Sequence, residues 1–286
     1  MTRFDTISFL SDYGTTDEFV GVVHSVLRQL APHAAVIDIS HQVPAHDVRA
    51  GSLTLARSAQ YLAPGVVLAV VDPGVGTARR AIAVEVGDGA SILVGPDNGL
   101  LAPAVSMVGG ATRAVELAAP EYQLAAPGPT FAGRDVFGPA AAHLCNGVDL
   151  LELGPELDVN GLTPGMIPIT RVEGGSLVAE VLWTDGYGNL QLNVDPAEID
   201  DFGERVELRF DGRVRTGVRR TTYAEVPTGE VGLVVDSYGL VSIAVDRSSA
   251  AAELGIDTGD EVVIAGLGDD AAPVGVVTPV VLKEKP

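Results

Sequence analysis

The sequence of 286 residues contains only one cysteine, Cys145. A single thiol cannot form a disulfide within the chain, which excludes the disulfide-stapled frameworks of small secreted proteins. The residues around Cys145 are mostly alanine and leucine, as is typical of a small buried residue in a helix. We therefore interpret Cys145 as a packing residue and not as a nucleophile.

Positive charge is also scarce, because 18 lysine and arginine residues stand against 38 aspartate and glutamate residues and leave a formal net charge of −20. Such an acidic chain repels phosphate backbones and anionic membrane surfaces. Long hydrophobic runs are missing, since stretches such as Val66–Val71 are far too short to cross a bilayer, and no signal peptide precedes the first strand-like run. We expect a cytoplasmic protein with no nucleic-acid or membrane partner.

The composition is nevertheless that of a globular protein, with 47% apolar residues in a chain long enough for about two domains. The first half alternates strand and helix signals. Strands are predicted at Thr6–Leu10, Val36–Ile39 and Val66–Val71, with helices between them at Phe19–Leu30 and Val48–Leu62. This βαβαβ order predicts a parallel sheet with helices on its faces.

Further signals extend and end this first half. Thr15 and Glu18 have the spacing of a capping box, which predicts that the first helix begins there. Two more strands and one more helix are predicted at Ala81–Val86, Ile92–Val94 and Val136–Leu144. The segment Gly154–Pro168 contains three prolines and no clear period, so we interpret it as a linker between domains.

From residue 170 onward the pattern changes to short strands separated by glycine turns. Apolar and charged residues alternate from Val206 to Phe210, and the following Asp211-Gly212 pair predicts a hairpin. Other strands are predicted at Val231–Val235, Leu240–Val245 and Glu261–Ala265. The expected fold class is an α/β N-terminal domain with a largely parallel sheet, residues 1–164, and a smaller C-terminal all-β barrel domain, residues 165–286.

The ends of the predicted strands carry polar residues. The first strand ends at Asp12 and the third at Asp72, and a glycine-rich turn after Asp72 leads to Arg79. Because ligands of open parallel sheets bind beyond the carboxyl ends of the strands, we expect these residues to converge. The turns match neither of the glycine-rich phosphate-binding motifs, so a nucleoside suits this acidic edge better than a nucleotide. Asp12 has the oxygens to accept two hydrogen bonds from ribose hydroxyls.

Two other kinds of site have weaker support. His41 and His46, together with Asp12 and Asp72, are metal-binding residue types, but no H-E-x-x-H or C-x-x-C spacing supports a metal centre. A serine hydrolase is disfavoured because the sequence lacks the G-x-S-x-G elbow. We therefore predict no metal ligands at the active site.

Five segments occur in a fixed order along the chain, and each alone is a weak motif. They are Ser11-Asp12-Tyr13-Gly14, the run from Asp72 to Arg80, Gly95–Leu100, Thr130–Phe137 and Asp185–Asn189. Together they resemble the S-adenosylmethionine (SAM) hydroxide adenosyltransferases, which are relatives of the SAM-dependent fluorinase and chlorinase. The resemblance covers nearly the whole chain, and the ordered set is specific.

The resemblance implies an α/β domain, a β-barrel and a homotrimer with active sites between one subunit's first domain and a neighbour's second. The implied reaction is SN2 attack of water or hydroxide at C5′ of SAM, giving adenosine and L-methionine. Because the sulfonium is already an excellent leaving group, the enzyme needs mainly to place an oxygen nucleophile in line and to exclude competing water. No metal and no organic cofactor is expected, since SAM is the substrate.

On this resemblance, Asp72 and Arg79 are the catalytic residues. Asp72 accepts a proton from water, and Arg79 orients the carboxylate. The halogenases carry uncharged residues where this chain has Asp72 and Val75. A carboxylate repels halide ions, so hydrolysis is favoured over a 5′-halogenase that uses chloride.

The resembling hydrolases usually carry a histidine where this chain has Ala132. Water activation then depends on Asp72 and Arg79 alone or on a replacement, for which His46 is a candidate beside its alternative role of packing on the ribose. If the missing histidine had ended turnover, the chain would be a sensor that binds SAM or adenosine without cleaving it.

The remaining substrate contacts follow from the resemblance position by position. In the first domain they are Asp12 at the ribose, Phe131 and Gly133 near C5′, and His46, Val75, Asn98 and Ala132. In the second domain they are Asn189, Tyr187, Tyr223 and the backbone of Arg247 at adenine, and Asp185, Ser237 and Tyr238 at methionine. Tyr238 stands where the fluorinase has an arginine. For Tyr187 and Tyr223, packing in the barrel core is the alternative interpretation.

Overall fold

The structure is a computed structural model that describes residues 4–267. The chain divides into two compact units between Ile167 and Pro168. The sequence-based boundary lies between residues 164 and 165. Residues 1–3 of the first predicted domain and 268–286 of the second lie outside the described residues.

The first unit contains one seven-stranded sheet. Its strands are β1 Thr6–Ser11, β2 Ala35–Ser40, β3 Val66–Val70, β4 Ala81–Val86, β5 Ser91–Pro96, β6 Ala111–Glu116 and β7 Glu156–Leu157. They lie in the order β2-β1-β3-β5-β4-β6-β7. The first four of these pair in parallel, β4 is antiparallel to β5, and β6 is antiparallel to β4. Most strands therefore point the same way, which confirms the predicted fold class.

Helices cover both faces of this sheet. They are α1 Phe19–Leu30, α2 Val48–Ala59, α3 Ala102–Met107 and α4 Gly138–Cys145. β3 is apolar throughout because it is buried on both sides: Val66 and Leu68 pack with α1 and α4, whereas Val67 and Ala69 pack with α2. Cys145 is fully buried at the end of α4, and burial raises the pKa of its thiol to about 12, as expected for a packing residue.

Three details of the helices differ from the predictions. The capping box is wrong, because α1 begins at Phe19, Glu18 makes no side-chain cap, and the Thr15 hydroxyl accepts a hydrogen bond from Gln42 instead. α2 ends at Ala59, three residues before the predicted end at Leu62. The helix predicted at Val136–Leu144 begins as a π-helical segment, Gly133–Phe137, which leads into α4.

The second unit is a closed barrel. Its elements are β8 Arg171–Glu173, β9 Ser176–Thr184, β10 Leu190–Leu192, β11 Arg205–Phe210, β12 Arg213–Arg220, β13 Val231–Val235, β14 Val241–Val245, α5 Ala250–Leu254 and β15 Glu261–Gly266. Seven strands close in the order β9-β10-β14-β13-β12-β11-β15, and β8 pairs with the N-terminal part of β9. This confirms the predicted barrel.

The predicted hairpin joins β11 to β12. Asp211 and Gly212 both have positive φ, 47° and 69°, as a tight two-residue hairpin turn requires. Among the described residues, no helix combines the length and the apolar character needed to span a bilayer.

Candidate active site

The carboxyl ends of the parallel strands bring the predicted carboxylates to one edge. β1 lies between β2 and β3 in the sheet, so Asp12, which follows β1, and Asp72, which follows β3, leave the sheet side by side. This edge is where open parallel sheets bind their ligands.

Asp72 and Arg79 form a nearly buried ion pair, with 5% and 15% of their side chains exposed. Nε of Arg79 donates to Oδ1 and Oδ2 of Asp72 at 2.8 and 2.9 Å, and Nη2 also donates to Oδ2. The turn between them has Gly76 at φ 77°, which glycine adopts without strain, and includes Val75. The guanidinium lies 5.0 Å from the ring centroid of Phe137. These contacts hold the carboxylate in one orientation.

Asp12 positions the loop that carries His46. The backbone N–H of His46 donates to Oδ2 of Asp12 at 2.9 Å. His46 has φ 67°, a left-handed conformation that is uncommon for histidine. The hydrogen bond to Asp12 stabilises this backbone conformation. His46 is an exposed residue, and the contact that ties it to Asp12 is made by its backbone.

Asn98 fixes the turn beside Asp72. Its Nδ2 donates to the carbonyl of Val71 at 2.9 Å, and its Oδ1 accepts from the N–H of Leu100 at 3.1 Å. The preceding Asp97 is buried and paired with Arg80. These contacts serve the backbone of the turn, and a substrate contact of Asn98 stays a prediction.

Tyr13 is the residue that the sequence analysis missed. A Cβ on Gly133 would lie only 2.2 Å from the Tyr13 hydroxyl oxygen, so only glycine fits there. The rings of Phe131 and Phe19 pack against Tyr13 with centroids 5.7 Å away. The Tyr13 hydroxyl thus lies against Gly133, the residue that follows Ala132. The signal in the sequence was a tyrosine directly after Asp12 at the end of a strand.

The pKa of the Tyr13 hydroxyl depends on the two carboxylates of the sheet edge. Burial, followed by the charges of Asp12 and Asp72, raises the pKa of Tyr13 well above its usual value of 10.0. The phenol therefore stays protonated at neutral pH and is available as a neutral hydrogen-bond donor.

The barrel unit contains a cavity of about 790 Å³, within the range of small-molecule sites. It brings together six of the seven residues predicted in this domain. Its lining consists of Asp185, Tyr187, Asn189, Tyr223, Ser237 and Arg247, with Ala224, Val245, Asp246, Ser248 and Ser249.

Asp185 organises one wall of this cavity. Its Oδ1 accepts from the N–H groups of Tyr187 and Asn189 at 2.8 and 2.9 Å, and its Oδ2 accepts from Nδ2 of Asn189 at 2.8 Å. The side chain of Asn189 is thereby oriented at the cavity. Tyr187 is 85% exposed, which contradicts the alternative that its ring packs in the barrel core.

The other wall comes from the turns after β12, β13 and β14. Tyr223 is 44% exposed beside the cavity, and burial of its hydroxyl, with the charges of Asp236 and Asp185, raises its pKa. The side chain of Arg247 is 93% exposed, in line with a position used through its backbone. Tyr238 does not line the cavity and packs against Trp183, with ring centroids 6.3 Å apart.

The metal ligands weighed from the sequence are not brought together. Within residues 4–267, the histidine and carboxylate atoms close enough to share an ion belong to His24, Asp38 and His41. His46, Asp12 and Asp72 are not part of this group. The Asp72–Arg79 pair instead joins a carboxylate to a guanidinium, which suits proton transfer and not metal binding.

Comparison with known proteins agrees with this geometry. Sequence models of the SAM hydroxide adenosyltransferase N-terminal and C-terminal domains match residues 7–154 and 179–263. A Salinispora arenicola protein named (R)-S-adenosyl-L-methionine hydrolase is 44% identical over 255 residues, which are 89% of this chain and 95% of that protein. A fluorinase of Actinoplanes sp. is 26% identical over 271 residues, which are 83% of this chain and 90% of the fluorinase.

A solved structure has the same fold. An uncharacterized conserved protein from Thermotoga maritima superposes with a TM-score of 0.84 at 33% identity, covering 91% of this chain and 99% of that one. Both domain models match in order, and each falls within one of the two structural units. The chain therefore belongs to the SAM hydroxide adenosyltransferase family.

Proposed function

We propose that this protein hydrolyses SAM to adenosine and L-methionine by attack of water or hydroxide at C5′. The observation that carries the proposal is the nearly buried Asp72–Arg79 pair at the carboxyl edge of the parallel strands. The name of the Salinispora arenicola relative, a SAM hydrolase at 44% identity, supports the same reaction.

The proposed step needs one proton acceptor and no acid. The water oxygen forms a bond to C5′ while the C5′–S bond breaks, and the bonding electrons neutralise the sulfonium to the thioether of methionine. The proton of the water passes to the Asp72 carboxylate and then to solvent. Arg79 keeps both carboxylate oxygens in place, so the acceptor is oriented before the substrate arrives.

Tyr13 supplies a second polar group in this proposal. Its hydroxyl lies against the Gly133 backbone, and its raised pKa keeps it protonated, so it can donate a hydrogen bond. A water held between Tyr13 and Asp72 would accept a hydrogen bond from the Tyr13 hydroxyl, which orients the water oxygen. The same water would donate a hydrogen bond to Asp72, which removes its proton. This arrangement compensates for Ala132, which offers only a methyl group.

Substrate binding is assigned to two half-sites, which are the sheet edge with Asp12 and Asp72 and the barrel cavity with Asp185 and Asn189. The ribose is expected at Asp12, and adenine at Tyr187, Asn189 and Tyr223 in the barrel cavity. The methionine ammonium is expected at Asp185. We propose a homotrimer in which the sheet edge of one subunit and the barrel cavity of a neighbour share one SAM molecule, which suits half-sites on separate units. The cytoplasm is the proposed compartment.

Two other functions, a halogenase and a sensor, can be distinguished from the hydrolase by what happens to SAM. A 5′-halogenase would form a chlorinated nucleoside, but Asp72 places negative charge where the halide would have to approach. A sensor would bind SAM and leave it intact, which Ala132 would favour if Tyr13 and Asp72 gave no activation.

The test is product analysis. EDTA-treated protein is incubated with SAM, with and without high chloride, and the products are identified by chromatography with mass detection. Adenosine and methionine in both samples support the proposal. A 5′-chloro nucleoside formed only with chloride overturns it in favour of the halogenase, and intact bound SAM overturns it in favour of the sensor.

A further inference from the structure

Three side chains outside the proposed reaction meet at the edge of the parallel sheet. Nε2 of His24, on α1, lies 2.8 Å from Oδ1 of Asp38 in β2. Nε2 of His41, which follows β2, lies 3.1 Å from the same oxygen. The three ligand atoms all lie within 4.8 Å of one another. We call this group the His24–Asp38–His41 cluster.

The local fold holds this cluster in shape. Phe9 pairs with Asp38 and Leu10 with Ser40, so one residue of β2 is left over as a bulge within the cluster. The buried ring of Phe9 packs against the imidazoles of His41 and His24, at centroid distances of 4.6 and 6.0 Å. The donor atoms therefore converge from a strand, a bulge and a helix that are fixed by packing.

His41 is the observation that points to a ligand. The residue is 6% exposed, and Nδ1 lies 2.7 Å from the hydroxyl of the fully buried Ser11. Its Nε2 is buried, faces Asp38, and makes no hydrogen bond of acceptable angle. In the tautomer that donates Nδ1–H to Ser11, Nε2 carries a lone pair directed into the cluster. Buried polar atoms are normally satisfied, and an ion bound between Nε2 and Asp38 Oδ1 would satisfy this one.

We propose that the His24–Asp38–His41 cluster binds a divalent transition-metal ion of the zinc class. Two imidazoles and one carboxylate are a known ligand set for such ions, with a fourth position left for water. Metal–ligand bonds of about 2.0–2.1 Å place tetrahedral ligand atoms roughly 3.3 Å apart, close to the 2.8 and 3.1 Å that separate the two imidazole nitrogens from Asp38 Oδ1. Ser11 supplies the outer hydrogen bond that metal-bound histidines normally make.

The site does not depend on the proposed hydrolysis. Neither Asp72 nor Arg79 belongs to it, and no step at C5′ passes through the ion. The ion would instead join α1 to β2 and fix Ser11, the residue before Asp12. The inferred role is therefore to stabilise the segment that carries the ribose-binding carboxylate.

The test uses full-length protein without a histidine tag, treated with EDTA and dialysed. Co²⁺ is added while visible absorption is recorded, and Zn²⁺ binding is measured by calorimetry. We expect one equivalent of Co²⁺ per chain with a tetrahedral absorption band, and a higher melting temperature with Zn²⁺. His24→Ala, at a partly exposed residue, should weaken binding by more than about 10-fold.

His33→Ala is the matched control, because His33 is an exposed imidazole of the same unit that contacts the carbonyl of Cys145. It should bind Co²⁺ like the wild type. Asp38→Asn provides a second variant that keeps the side-chain size while removing the charge, and it should weaken binding as well. The proposal would be overturned if the folded wild type bound neither Co²⁺ nor Zn²⁺, or if His24→Ala bound them as well as the wild type. The cluster would then be an ion pair of Asp38 with the two histidines. Neither outcome affects the SAM product assay.

Discussion

At the scale of single residues, the proposed reaction depends on a carboxylate whose orientation is fixed by its neighbours. Asp72 is almost fully removed from solvent and is bound at both oxygens by Arg79. A carboxylate held in this way loses little entropy when it takes a proton from water, and no competing rotamer moves it away. Residue-scale changes should therefore affect turnover more than binding.

Asp72→Asn removes the proton acceptor while keeping the shape of the side chain. We expect kcat to fall by about 10²–10⁴-fold with a small change in SAM affinity, because general-base catalysis contributes on that scale. Turnover is measured by adenosine release and affinity by calorimetry. Glu85→Gln is the matched control, because it breaks another carboxylate–arginine pair, with Arg113, far along the sheet. Wild-type kcat in Asp72→Asn would contradict the assigned role.

Tyr13→Phe removes one hydroxyl from the side of the site where Ala132 lies. We expect kcat to fall by about 10-fold or more with KM nearly unchanged, since a donor to the attacking water acts mainly in the transition state. Tyr122→Phe, which removes a hydroxyl bonded to Glu152, should keep wild-type kcat. Adding Ala132→His to Tyr13→Phe should restore part of the rate. An unchanged kcat in Tyr13→Phe would show that its hydroxyl only supports the Gly133 turn.

At the scale of elements, the parallel strands place the site and the antiparallel strands extend the sheet. The periodicity of apolar residues predicted β1 to β5 and three of the four helices of the first half, because each face is buried against a layer of helices. It did not predict α3, β6 or β7, and β7 lies within the segment interpreted as a linker. It failed at Thr15, whose hydroxyl has a partner far away in sequence, and at the π-helical turn, whose register leaves no local signature. The long strand β9 was missed because six of its nine residues are buried, and the buried residues lie in runs and do not alternate.

The ion pair between β4 and β6 gives a pH-dependent prediction. The hydrogen bonds from Arg113 lower the pKa of Glu85 below its usual 4.5. The carboxylate therefore stabilises the fold above pH 4.5, and this contribution is lost as the pH falls through the lowered value. Glu85→Gln should reduce the free energy of unfolding at pH 7 and have a smaller effect near pH 3, measured by urea denaturation. An equal effect at both pH values would contradict the assignment.

At the scale of the whole molecule, the two proposed halves of the active site lie on separate compact units. The Asp72 carboxylate and the Arg79 guanidinium belong to the first unit, and the cavity of about 790 Å³ belongs to the barrel. In the proposed trimer, each active site takes its catalytic pair and its adenine-binding residues from different chains, so two defective chains can complement each other.

Mixing Asp72→Asn with Asn189→Ala chains tests that arrangement. Each variant alone should be nearly inactive, but co-refolded mixtures should recover roughly a quarter of the wild-type rate, because random assembly pairs two intact half-sites at that frequency. Activity is measured by adenosine release and assembly by sedimentation. A mixture as inactive as its components would show that each chain builds its site alone.

The sequence by itself determined the fold class, the strand ends with Asp12 and Asp72, and the ordered motifs that indicated SAM chemistry. These are local properties, because burial pattern, turn residues and motif spacing act over a few positions. Only the tertiary structure decided that Tyr13 contacts Gly133, that β9 closes the barrel between β10 and β15, and that His24 lies beside Asp38 and His41. Most of these contacts depend on strand register and helix packing between segments distant in the chain, and neither leaves a local pattern in the sequence.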